Sequence, residues 1–357
     1  MVGSESVYCG ERSSGSGDKV GSVRLPHGDA SLAAPDCSRR VFCAAAVTGA
    51  FALAAGLGGC AAHHSEAKGS VGPAKQTSKR SSTTKATAAP KSSWIAAIQQ
   101  DIEALVEPYG DSVSVYAVAL DPQTFDALDG EAVVAPDERR VAASIIKLSI
   151  LACALDAAAA GELSLDERIT VTQRDIVGGS GNIQARGVGV SYSVDELLRA
   201  MIAQSDNVAA NLIINRLGMD AVNGTCAALG LTQTALARLM MDTDAQAQGR
   251  ENYTSARDAA TVLQRLAAGT IATPELCERA RGYLLAQEDV RGIVEGVPGD
   301  VSVAHKTGSL ANVQHDAAIV YAEHPYVLVV LTQDLEREQA LALERDISSA
   351  IYVRAHS

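Results

Sequence analysis

Lysine is almost missing from the larger part of this 357-residue chain: from Trp94 to the C-terminus there are 17 arginines and only two lysines, Lys147 and Lys306. Arginine and lysine solvate a surface about equally well, but a guanidinium stays charged at any working pH, whereas a desolvated ammonium can lose its proton and act as a base. Where Arg has taken nearly every cationic surface position, a surviving Lys is a candidate for chemistry.

Other shortages exclude whole classes. Of seven cysteines, four precede or form the sequence Gly58-Gly59-Cys60, leaving Cys153, Cys226 and Cys277. That odd set without C-x-x-C spacing gives neither a zinc site nor a disulfide framework, so these thiols read as buried small hydrophobes. His305, His315, His324 and His356 show no H-x-x-x-H spacing, so no metal and no cofactor is assigned. Basic charge is scarce too. Of the formal −12, residues 61–93 contribute six Lys or Arg against one Glu, the segment before them balances, and the remainder carries −17. A domain that acidic is a poor nucleic-acid binder.

Long hydrophobic runs are also lacking. The Ala-rich stretch that follows Ser38-Arg39-Arg40-Val41-Phe42 and ends at Leu57 is too short for a comfortable membrane-spanning helix. A twin arginine before such a stretch resembles a Tat export signal. Leu57-Gly58-Gly59-Cys60 resembles a lipoprotein processing site that leaves Cys60 as the lipidated first residue. Residues 61–93, rich in Ser, Thr, Ala and Lys, bury too little apolar surface to offset their ordering entropy. The predicted organisation is therefore a lipoprotein signal over 1–59, a flexible tether over 60–93 and a catalytic domain over 94–357, exported and held at the outer side of the cytoplasmic membrane through Cys60.

With 47% hydrophobic residues the chain has ample material for a core. Spacing predicts a helix over Ile95–Val106, a strand over Val113–Leu120 and a long helix from Val141 to Ala160 ended by Gly161. Helical patterns mark Val194 to Gln204, Val208 to Leu217, Met219 to Leu229, Ala256 to Ala268 and Pro274 to Ala286, and Gly178-Gly179-Ser180-Gly181-Asn182 reads as a plain turn. Strands return over Val301–Lys306, Asp316–Ala322 and Tyr326–Thr332 before a last helix, Leu335–Val353. The expected fold is α+β: an antiparallel sheet flanked by helices, built from both ends of the domain, with an inserted all-helical lobe and a cleft between them.

Both lysines lie in short motifs. Lys147 closes Ser144-Ile145-Ile146-Lys147 and Lys306 opens Lys306-Thr307-Gly308, with Ser205-Asp206-Asn207 between. Positions i and i+3 share a helix face, so the Ser144 hydroxyl and the Lys147 amine can meet. No G-x-S-x-G elbow is present, which leaves Lys147 as the nearest base. It can serve only when partly neutral, a state that burial and a second cation such as Lys306 promote. Ser205 could pass the proton onward. This chemistry is acyl transfer through a serine ester.

The order S-x-x-K, S-D-N, K-T-G resembles class A serine β-lactamases and penicillin-binding enzymes across residues 94–357. The resemblance implies Ser144 as nucleophile, Lys147 as general base, Ser205 as proton donor to the leaving nitrogen and Lys306 as electrostatic partner. It also implies Asn207, Thr307, Gly308 and Ser309 as substrate contacts, the backbone N–H groups of Ser144 and Ser309 as oxyanion hole, and Asp206 as structural. The implied ligand is a β-lactam or a D-Ala-D-Ala-like peptide. Two departures stand out. The glutamate that positions the deacylating water in the family's E-x-x-L-N segment is replaced by Met240, with Asp242 and Asp244 the nearby carboxylates. The family's carboxylate-binding Arg falls near His315-Asp316. The expected activity is β-lactam hydrolysis with slow deacylation. The alternatives are a D,D-peptidase or penicillin-binding relative, and a non-enzymatic acylation sensor or wall-binding lipoprotein.

Overall fold

The computed structural model describes residues 94–357; the predicted signal, the tether and Cys60 lie outside the described residues. The frame is a five-stranded antiparallel sheet. Its strands are β1 (Val113–Leu120), β2 (Ala127–Val134), β3 (Ser302–Leu310), β4 (Val313–Tyr321) and β5 (Tyr326–Gln333). They lie in the order β2-β1-β5-β4-β3, so the first strand of the domain, β1, pairs with the last, β5, and the sheet is assembled from both ends of the domain, as expected.

Both faces of this sheet are covered, and the side chains divide between two cores with a period of two. Along β5, Tyr326, Leu328 and Val330 enter one core, while Val327, Val329 and Leu331 enter the other. The first core lies under α1 (Gln99–Val106) and α8 (Arg337–Ala355), and the second joins the sheet to the helical lobe. That lobe contains α2 (Ile146–Ala159), α3 (Val194–Ala203), α4 (Asn207–Leu217), α5 (Met219–Ala228), α6 (Ala256–Ala267) and α7 (Pro274–Leu285). Cys153, Cys226 and Cys277 are buried and free.

The helix α2 is apolar all round, with ten consecutive buried residues from Ile146 to Leu155, which makes it the central helix of the lobe. Lys147 is the one charged side chain in that run. The expected helix from Val141 starts later than predicted. Arg140–Val141 first pairs with Tyr253–Thr254, a short turn follows, and the helix proper opens at Ile146. The strand β2 escaped prediction because it is an edge strand of mixed polarity and only partly buried, with none of the apolar alternation that marks a half-buried strand.

Candidate active site

Ser144 lies on a 3-10 turn, Ala143–Ile145, that leads directly into α2. The chain must reverse sharply to enter it, and Ala143 takes a φ of 45° to do so. Ser205, at φ 52°, and Met241, at φ 62°, are held in the same left-handed region. Each such residue costs about 1–3 kcal/mol and persists only where surrounding contacts over-determine it. Ser205 lines the cleft beside Ser144, and Ala143 and Met241 line a hollow on another side of it.

The Lys147 amine is completely buried and has four oxygens within reach: Ser144 Oγ at 3.1 Å, Ser205 Oγ at 3.2 Å, Ser205 O at 2.6 Å and Asn207 Oδ1 at 2.8 Å. A neutral amine has two protons and a lone pair. The two shortest contacts, to Ser205 O and Asn207 Oδ1, use the protons and leave the lone pair for a hydroxyl. Burial and the neighbouring Lys306 cation hold the Lys147 pKa well below the usual lysine value, against the opposing pull of Asp206. Lys306 is also fully buried. It donates to Ser205 Oγ at 3.1 Å and to Thr307 O at 2.7 Å, and burial brings its pKa down to about 7, with Asp316 and Asp289 opposing. The Ser205 hydroxyl thus stands between the two lysines.

Asp206 is buried and accepts from Ala209 N at 2.9 Å, capping α4, and from Ile183 N at 2.8 Å. The glycine loop 178–182, expected to be a plain turn, is instead the packing partner of this segment. Asn207 Nδ2 donates to Gly178 O at 3.1 Å and Asn207 N to Ser180 O at 3.1 Å. A Cβ at Gly181 would collide with Asp206, and one at Gly179 would stand 2.6 Å from Asn207 Nδ2. Only glycine lets the loop lie this close. Gly178 and Asn207 are 29 residues apart in the chain, so no local signal reveals the contact.

The K-T-G strand, β3, runs along the other side of the nucleophile. A Cβ at Gly308 would be 3.1 Å from Ser144 N, so the absence of a side chain serves the approach of strand to nucleophile turn. Ser309 donates to Gln314 Oε1 at 2.8 Å. His315, expected near the substrate carboxylate, is not in the cleft: it is fully buried, bonded to Val141 O at 2.8 Å and accepting from Thr332 N at 3.1 Å, and burial lowers its pKa to about 4. The guanidiniums of the cleft come from Arg291 and Arg337, which sequence reasoning missed because nothing local distinguishes them from fifteen other domain arginines. The cleft measures about 600 Å³ and is lined also by Ser144, Ser205, Thr307 and Ser309.

A second hollow of about 260 Å³ opens at Ser144 on the side of Asn207 and Met240. Met240 N donates to Asn211 Oδ1 at 2.8 Å and Met240 O accepts from Asn211 Nδ2 at 3.1 Å, which pins this residue to α4. The structure does not bring Asp242 and Asp244 to Ser144. Asp242 caps the short helix Thr243–Ala247 by accepting from Ala245 N at 2.9 Å, Asp244 is exposed, and neither lines either hollow. The carboxylate that does line the second hollow, Glu251, is tied to Arg238 at 2.7 Å.

The model of the β-lactamase enzyme family matches residues 97–355. A β-lactamase of Streptomyces lavendulae is 30% identical over 256 residues, which are 69% of this chain and 81% of that protein. The crystal structure of a β-lactamase from Sphaerobacter thermophilus superposes with a TM-score of 0.65 at 28% identity, covering 72% of this chain and 97% of the other. PBP-A superposes equally well, with a TM-score of 0.65 at 27% identity over 72% of this chain and 96% of its own. A variant of PBP-A is known as an acyl-enzyme complex with penicillin G. With its three motifs gathered around Ser144 in this fold, the chain belongs to the β-lactamase enzyme family and is a serine hydrolase of the β-lactamase type.

Proposed function

We propose that the protein opens β-lactam amides through an ester on Ser144 and clears that ester slowly. The observation that carries this reading is the fully buried Lys147 amine, held between Ser144 and Ser205 with its basicity reduced by burial and by Lys306. Lys147 takes the Ser144 proton as the hydroxyl attacks the lactam carbonyl. The backbone N–H groups of Ser144 and Ser309 hold the developing oxyanion. Ser205, in contact with both lysines, returns a proton to the leaving nitrogen. Asn207 contacts the acylamide side chain, and Asp206 keeps the segment in place. Thr307 and Ser309 receive the substrate carboxylate together with Arg337. Arg291 is already forked onto Asp289 at 2.8 Å, whereas Arg337 approaches that carboxylate only to 4.0 Å and is the freer cation.

Slow clearance follows from Met240, whose thioether cannot activate water. A D,D-peptidase acting on D-Ala-D-Ala-like peptides is the second reading, favoured by the same residue, because a penicillin ester that persists is the behaviour of a penicillin-binding enzyme. An acylation sensor is the limit in which turnover vanishes. Export through a Tat-type lipoprotein signal, with lipid on Cys60, would place the domain where these substrates are met. The test is intact-mass measurement over time after mixing with benzylpenicillin. A one-to-one adduct should form and decay slowly, and Ser144→Ala should form none. Undiminished labelling of Ser144→Ala would remove the assignment. Release of D-Ala from a peptide would favour the second reading.

A further inference from the structure

Behind Thr307 and Ser309 lie two acids that this reaction scheme leaves unused. Glu344, on α8, is completely buried, and neither of its carboxyl oxygens has a hydrogen-bond partner. Asp316, also completely buried, sits on β4 directly across from Thr307. Asp316 Oδ1 is 3.0 Å from His305 Nδ1, and Oδ2 accepts from Ile293 N at 3.2 Å. Both carboxyls approach Gly292: a Cβ there would overlap Glu344 Oε2 and stand 3.4 Å from Asp316 Oδ2. Gln314, two residues before Asp316 on the same face of β4, links this pair to the cleft. Its Oε1 accepts from Ser309 Oγ at 2.8 Å, while its buried Nε2 has no partner.

Two ionised carboxylates are strongly disfavoured in such a space, since a buried charge without donors has lost its hydration and gained nothing in return. The charged groups facing Glu344 are Asp316 from β4, Asp289 from the loop before Gly292, and Arg337 from the first turn of its own helix. One cation against two carboxylates does not offset burial, and burial together with Asp316 pushes the Glu344 carboxyl well above the usual range. Asp316 Oδ1 already faces the His305 ring nitrogen and Oδ2 accepts from the Ile293 amide, whereas near Glu344 the only neutral donor is the Gln314 side-chain amide, which falls short of a hydrogen bond and does not offset burial.

We propose that Glu344 carries the proton of a shared Asp316–Glu344 acid pair, so that one negative charge rather than two lies behind the Lys306-Thr307-Gly308 strand, and that Glu344 is thereby a positioning residue for Lys306 and, through Gln314, for Ser309. Asp316 is the leading influence that favours the charged form of Lys306. A proton donated by Glu344 disperses the charge of Asp316 and so limits its hold on Lys306.

Infrared spectroscopy of the full chain at neutral pH tests the protonation directly. The wild type should show a protonated-carboxyl stretch that shifts in deuterated water and on 13C-glutamate labelling, and that is missing from Glu344→Gln. No such band overturns the proposal, and the isotope arm stands even should the variant fail to fold. Stability gives a second reading. A carboxyl with a raised native pKa contributes stability that is full below its unfolded pKa and is lost as pH rises toward the native one. Relative to Glu344→Gln, the wild-type folded-to-unfolded ratio should therefore fall about tenfold per pH unit through that window. Parallel curves overturn the proposal.

The kinetic arm alone rests on the Ser144 reading. Glu344→Met removes the donor to Asp316 and should move the alkaline limb of acylation upward by about half a unit, while Glu344→Gln, which still donates, should keep it. Coincident limbs in all three proteins would refute the positioning role while leaving Ser144 acylation untouched.

Discussion

On the proposed reading, replacing Met240 with glutamate should speed clearance of the acyl-enzyme. Met240 is 7% exposed and lines the hollow beside Ser144 and Asn207, and its backbone is pinned in both directions to the Asn211 side chain. Methionine and glutamate are both unbranched at Cβ and Cγ, so the carboxylate introduced by Met240→Glu falls where the thioether and its methyl now lie, in the hollow that Ser144 also lines. Partial burial raises a carboxyl pKa, which brings this one nearer to the working pH of a general base. General-base assistance is typically worth ~10²–10⁴-fold, or about 3–5 kcal/mol of barrier. With a chromogenic cephalosporin the wild type should show a rapid burst of about one product per enzyme and a slow second phase. Met240→Glu should speed the second phase by ~10²-fold or more while leaving the burst rate nearly unchanged.

Two controls separate base chemistry from shape. Met240→Gln has the same reach but cannot accept a proton, so its second phase should stay slow. Asp242→Asn should also leave the second phase unaltered, because the Asp242 carboxylate is engaged with Ala245 N as a helix cap and an asparagine caps equally well. Fast wild-type turnover without a burst, or a Met240→Glu second phase no faster than that of Met240→Gln, would show that another residue positions the water.

Lys147→Arg keeps the charge but loses the ability to accept a proton, and should lower acylation by ~10²–10⁴-fold in stopped-flow labelling with a fluorescent penicillin; near-wild-type rates would end the role of Lys147 as base. Acylation should also weaken as pH rises past the Lys306 value of about 7, since the loss of that cation removes a charge from the cleft. Lys306→Arg, which cannot deprotonate, should extend the alkaline limb, and an unmoved limb would assign it to another group. Cys60→Ala should shift the protein from the membrane fraction to the soluble or unprocessed pool, and unchanged fractionation would refute lipid attachment.

What was legible in the sequence was local. Ser144 and Lys147 are three residues apart on adjoining turns, Lys306 to Ser309 are consecutive on one strand, and the scarcity of lysine marked both amines before any contact was known. The strands of the sheet were legible for the same reason, because β1 and β5 are largely apolar and the second half of β4 is too. The polar edge strand β2 was not, because an edge exposed to water needs no apolar period.

The misplaced elements were long-range. Glycines 179 and 181 are required by Asp206 and Asn207, and such a requirement leaves no trace in neighbouring residues. His315 follows the K-T-G turn at a spacing that suggests the cleft, yet alternation along β4 turns it away from the Gln314 and Asp316 side chains and toward Val141. Asp242 and Asp244 were placed by proximity in the chain, and a helix cap claimed the first of them.

Glu344 carries this furthest. A glutamate two turns into the C-terminal helix reads as a solvated side chain, and only the fold buries it beside Gly292 and near Asp316. An acid that costs stability there would be replaced readily by Leu or Met unless its proton has a use. In the proposed chemistry Lys147 must give up its proton while Lys306 keeps its charge, and the use on offer is control of the negative charge behind them.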